Sequence, residues 1–115
     1  MPAGKTLLSG DDNLAMNTDV GVDLWGYEGN DTLIAGAGDD YLVGGAGNDT
    51  IVGDGGADEL YGDDDDDLLI GDDSQLAIEY HGDDYLDGGN GADALYGYGG
   101  DDQLFGGNGD DTIQG

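Results

Sequence analysis

Residues 44–52 read Gly44-Gly45-Ala46-Gly47-Asn48-Asp49-Thr50-Ile51-Val52. The first six have turn chemistry: glycines reach positive φ at little cost, and Asn and Asp bond their own backbone. The last three have strand chemistry. Along a strand side chains alternate, so Ile51 faces one way and Thr50 and Val52 the other. Three residues cannot stand as a strand alone, so this segment needs copies of itself to stack on. The copies are present. Leu24, Leu33, Leu42, Ile51, Leu60, Leu69 and Ile78 are each nine apart, and after a one-residue deletion Leu86, Leu95, Leu104 and Ile113 resume the spacing. Leu14 precedes Leu24 by ten, which makes twelve units.

With this apolar residue as position 8, position 6 is Asp12, Asp31, Asp40, Asp49, Asp58, Asp67, Asp84, Asp93, Asp102 and Asp111, with Val22 and Leu76 as exceptions. Position 4 is Gly in nine of the twelve. Stacked in register, the short strands form two parallel sheets, with successive units on opposite sheets and about 18 residues per coil. The expectation is an all-β parallel β-roll of about six coils, its position-8 residues meeting in a narrow core.

The charge says what else such a fold requires. The 115 residues carry 28 acids against Lys5, a net charge of −27. Like charge of this size with modest hydrophobicity reads as disorder unless the carboxylates are neutralised. Turns two units apart are stacked neighbours, and between them lie two Asp carboxylates and several carbonyls. That is the cage of six to eight oxygens that Ca²⁺ takes and Mg²⁺ does not. Two rows are expected: Asp12, Asp31, Asp49, Asp67, Asp84, Asp102, and Val22, Asp40, Asp58, Leu76, Asp93, Asp111. Adjacent Asp pairs number five in the first and two in the second, hence about seven calcium sites. Seven Ca²⁺ would bring −27 to −13.

In this register the best units read G-G-x-G-x-D-x-U-x, U being a large aliphatic residue. Over residues 7–115 the chain resembles the RTX (repeats-in-toxin, haemolysin-type calcium-binding) family; residues 1–6 precede the array. The resemblance implies a right-handed β-solenoid with ions in two rows between the turns. It implies a secreted or extracellular bacterial protein, exported unfolded by type I secretion and folded outside by calcium. It also implies a secretion signal beyond the repeats. The sequence stops at Gly115, position 1 of a next unit, so that signal and a polar cap are expected in a longer parent.

Residues 71–87 break the pattern. The unit ending at Glu79 keeps Ile78 but lacks the position-4 Gly and the position-6 Asp, and the following unit is one residue short. A distorted coil, with a protrusion, is expected there. At position 9, Trp25, Ile34, Val43, Val52, Tyr61, Ile70, Tyr96 and Phe105 point outward, as strand propensity or as a docking face for another domain or a second copy.

Other functions fit poorly. The charge repels nucleic acid and anionic membranes, and no apolar run approaches a membrane span. There is no cysteine for a thiolate site or nucleophile. His81 is the lone histidine, Ser9 and Ser74 the lone serines, and the Gly-rich turns have no Lys or Arg beside them to hold phosphate. An enzyme is not expected. The alternative is a carbohydrate-binding or adhesive module presenting Trp25, Tyr61 and Tyr96. An ice-binding surface would need a row of Thr that position 3 lacks.

Overall fold

The computed structural model describes residues 10–16, 19–72 and 81–115. Among the described residues, eleven units each contribute one short strand that contains the position-8 residue. In chain order these are β1 (Asn13–Ala15), β2 (Asp23–Glu28), β3 (Thr32–Ile34), β4 (Tyr41–Ala46), β5 (Thr50–Val52), β6 (Glu59–Asp63), β7 (Leu68–Ile70), β8 (Tyr85–Asp87), β9 (Ala94–Tyr96), β10 (Gln103–Phe105) and β11 (Thr112–Gln114). The odd-numbered strands form a six-stranded sheet in the order β1-β3-β5-β7-β9-β11, and the even-numbered ones a five-stranded sheet, β10-β8-β6-β4-β2. Every pairing is parallel. The fold is therefore an all-β parallel β-roll. At two strands per coil, the eleven described strands make five and a half turns, where six coils were expected.

The core is one residue thick. Leu24, Leu33, Leu42, Ile51, Leu60, Leu69, Leu86 and Leu95 are completely buried between the sheets. Leu14, Met16 and Leu104 pack partly against them towards the ends, and Ile113 is half exposed. The outer face of the five-stranded sheet carries a ladder of aromatic rings, Trp25–Tyr41–Tyr61–Tyr85–Phe105, with centroids 5.3 to 5.7 Å apart. Positions 9 and 7 alternate along this ladder, Trp25, Tyr61 and Phe105 at position 9 and Tyr41 and Tyr85 at position 7. The rings pack on one another, and Trp25 and Tyr61 are partly buried.

The register corrects the predicted stacking beyond residue 70. Up to β7, paired strands are one 18-residue coil apart, as in Ile51↔Leu69. Then Leu60 pairs with Leu86 and Leu69 with Leu95, a step of 26. The turn leading into β8 shows why. Elsewhere five residues separate the position-1 glycine from the position-6 Asp it lies against, as for Gly26 and Asp31; Gly71 lies in the same way against Asp84, thirteen residues on. Gly71 and Asp72 therefore supply positions 1 and 2 of one turn, and His81 to Asp84 supply positions 3 to 6. Eight extra residues, 73–80, stand in sequence between its two halves. Leu76 and Ile78, expected to head a unit of their own, lie outside the described residues, as do residues 1–9. Among the described residues no helix is long and apolar enough to cross a membrane.

Candidate metal centre

Positions 1 to 6 carry the turns, and position 4 uses backbone that β-carbons resist. Position 4 is left-handed at Gly29, Gly47 and Gly56. A β-carbon on Gly47 would also run into the Gly29 carbonyl of the coil beneath. Glycine there serves both conformation and close stacking.

The turns stack through two side-chain ladders of opposite direction. At position 6, one carboxylate oxygen, Oδ1, accepts the position-6 N–H of the preceding coil. Asp12 donates to Asp31, Asp31 to Asp49, Asp49 to Asp67, Asp67 to Asp93 and Asp93 to Asp111, at 2.8 to 2.9 Å. In the other row Val22 donates to Asp40, Asp40 to Asp58, Asp58 to Asp84 and Asp84 to Asp102. At position 5 the side chain accepts from the coil that follows. Asn30 N–H donates to Asp11, Asn48 to Asn30, Asp66 to Asn48 and Ala92 to Asp66, at 2.7 to 2.9 Å. Sequence reading overlooked this second ladder, although Asn or Asp fills position 5 in most units.

The rows thus differ from those expected. Asp93 and Asp111 follow Asp67, and Asp84 and Asp102 follow Asp58, because the eight extra residues fall inside a turn and the following units exchange sheets. Asp58 has a carboxylate neighbour, Asp84, where Leu76 was expected. The ten predicted aspartates are nonetheless all at position 6 of stacked turns.

Their second oxygens define the chemistry. Oδ2 of Asp12, Asp31, Asp49, Asp58, Asp67, Asp84, Asp93 and Asp102 is buried with no hydrogen-bond partner. A buried carboxylate oxygen left unpaired is costly. All of these except Asp12 lie against the place where the position-1 glycine of the same turn lacks a side chain. A β-carbon on Gly26 would meet Asp31 Oδ2 and the Gly44 carbonyl of the next coil; on Gly53, Asp58 Oδ2 and the Gly71 carbonyl; on Gly62, Asp67 Oδ2 and the Gly88 carbonyl. Anionic and carbonyl oxygens converge there, one set per pair of coils. The donor set is all oxygen, which suits a hard cation.

One unit departs from this. Position 1 is glycine from Gly26 onward except at Ala35, which is buried. Its methyl group takes the place that glycine leaves open, and Asp40 Oδ2 turns to accept the Gly36 N–H at 3.4 Å. Asp40 is accordingly absent from the unpartnered oxygens. Next to it in the row, Val22 puts an apolar side chain at position 6. The Ala35 signal stood in the sequence, but only the side chain's direction gives it meaning.

Without a cation the buried carboxylates resist ionisation. Burial pushes Asp49 up to about 7, Asp67 to about 8 and Asp58 to about 9, against the lowering effect of the N–H each accepts. Asp31, Asp40, Asp93 and Asp102 are also raised, chiefly by burial.

An all-parallel solenoid most of whose turns gather unpaired carboxylate oxygens defines a repeat protein of the cation-binding kind. The family model described as RTX calcium-binding nonapeptide repeat (4 copies) matches residues 23–51, 43–74 and 82–113. The chain belongs to that family, a β-roll module whose repeats bind Ca²⁺. The unmatched residues 75–81 fall within or beside the extra segment of the Gly71–Asp84 turn. Comparison with curated proteins and with solved structures found no match.

Proposed function

We propose that the position-6 aspartates hold Ca²⁺ between stacked turns, and that the chain folds as those ions bind. The observation that carries this is the set of eight buried Oδ2 atoms without partners, seven of them beside a glycine whose missing side chain leaves room. Six cages bordered by a position-1 glycine follow: Asp31–Asp49, Asp49–Asp67, Asp67–Asp93 and Asp93–Asp111 in one row, Asp58–Asp84 and Asp84–Asp102 in the other; a seventh stacked pair, Asp12–Asp31, has Leu7 at position 1 in sequence, outside the described residues. The sequence expectation was about seven, with different pairs. The Asp40–Asp58 interval is plugged by Ala35.

The ions supply charge neutralisation where carboxylates are crowded, and the residues supply oxygen donors on a rigid ladder. The role is structural: a calcium-dependent folding module within a larger secreted bacterial protein, unfolded in calcium-poor cytosol and folded outside. Family membership and the −27 charge support this setting.

Circular dichroism and small-angle scattering, with excess chelator and with millimolar calcium, test the reading. An expanded chain without calcium and a cooperative transition to β structure at about 10⁻⁴–10⁻³ M Ca²⁺ are expected for an extracellular module. A compact profile in chelator, or uptake of no calcium, would overturn it.

A further inference from the structure

One cage is unlike the others. Carboxylate oxygens of Asp72, Asp84 and Asp102 lie within 4.8 Å of one another. Asp84 and Asp102 are position-6 residues of stacked turns. Asp72 is at position 2 and belongs to no ladder. Elsewhere position 2 holds glycine or a residue such as Asp63, which is exposed with φ 76°. Asp72 is completely buried.

Its polar surroundings leave one oxygen unserved. The Gly82 N–H donates to Asp72 Oδ1 at 3.3 Å. His81 Nδ1 stands 3.6 Å from Oδ2, beyond hydrogen-bond length. That nitrogen accepts the Gly99 N–H at 3.0 Å, so its lone pair is used and it has no proton to offer Asp72. Oδ2 of Asp72, Asp84 and Asp102 are all buried with no N–H or hydroxyl donor, and without a cation Asp84 relieves the crowding only by sharing a proton with Asp72. The place where a β-carbon on Gly71 would point adds the Gly97 carbonyl to the Asp84 carboxylate.

We propose that Asp72, Asp84 and Asp102 form a three-carboxylate hard-cation site that ties the two ends of the 73–80 segment to the next coil. This rests on the calcium-binding reading above and deepens it at one cage. The site is all oxygen and carries one more negative charge than a two-carboxylate cage. Charge count and rigidity set the affinity of oxygen sites. This cage therefore fills before the others and favours a trivalent lanthanide over Ca²⁺ more strongly than they do. Asp72 precedes the extra residues and Asp84 follows them, so the ion closes the base of the insertion.

Calcium titration and ion counting on the full chain test this with Asp72→Asn, and with Asp63→Asn as the position-2 control. In Asp72→Asn the tightest binding step should weaken by about tenfold or more, the scale on which ligand charge tunes such sites. Asp63→Asn should leave it in place. In the unmodified chain La³⁺ should displace one calcium ahead of the rest, a measurement that stands even if Asp72→Asn does not fold. An unchanged tightest step in Asp72→Asn, or La³⁺ displacing all ions together, would overturn the site while leaving calcium binding intact. No calcium uptake by the unmodified chain would instead defeat the reading it rests on.

Discussion

At the scale of the residue, position 1 shows how one methyl group separates an ion cage from a plug. Gly26, Gly44 and Gly53 leave a space bordered by a carboxylate oxygen; Ala35 fills it, and Asp40 turns to the Gly36 N–H. Ala35→Gly should open the Asp40–Asp58 interval and raise the bound calcium count by one, read by equilibrium dialysis at saturating calcium; an unchanged count would mean that Ala35 is not what closes it. Gly47 makes the opposite demand. At φ 113°, facing the Gly29 carbonyl, it has no room for a β-carbon. Gly47→Ala should cost at least about 1–2 kcal/mol, the penalty of left-handed backbone for an L-residue. Chemical denaturation at saturating calcium measures it.

Strands and turns divide the work at the scale of the element. The strands hold the core through one aliphatic residue each, and the even-strand face gains from its rings. Tyr41 touches both Trp25 and Tyr61. At about 0.5–1.5 kcal/mol per aromatic pair, Tyr41→Ala should lose about 1–3 kcal/mol beyond its buried area. Phe105, with one ring neighbour in the ladder and half exposed, should lose less on truncation; equal losses would show that the ladder adds nothing as a ladder. In the turns, Asp49 borders two cages, and Asp40 borders none that is open. Asp49→Ala should therefore raise the calcium midpoint of folding clearly more than Asp40→Ala. Matching midpoints would contradict the shared-ligand arrangement.

The whole molecule is governed by charge. The sign of its pH dependence follows from carboxylates raised by burial to about 7, 8 and 9 at Asp49, Asp67 and Asp58. An unfolded Asp titrates near 3.9. Between about pH 4 and pH 9 the metal-free folded state thus holds more protons than the unfolded one, and its stability falls as pH rises. Chelated protein should gain β structure on acidification towards pH 4 and lose it by pH 9. Calcium should reverse this by taking the protons' place, so binding releases protons and the calcium midpoint rises as pH falls. Dichroism across this range, with and without calcium, checks both signs; a chelated chain more folded at pH 9 than at pH 4 would refute them.

The sequence by itself determined the period, the buried aliphatic row, the two-sheet parallel roll and the aspartates of the turns. All of these repeat locally, and most units of nine residues carry the same short instructions: glycine at most positions of positive φ, Asp before the strand, Leu or Ile inside. Only the tertiary structure decided which turns meet after residue 70. Eight extra residues are nearly one repeat, and Ile78 sits at the spacing of a core position, so counting along the chain accepts them as a unit. Stacking does not, because Gly71 meets Asp84 and the two halves of one turn close as though residues 73–80 were absent. The same closure buries Asp72 beside Asp84 and Asp102. A neighbour thirty residues away and the direction of one side chain are properties of packing, and no repeat motif encodes them.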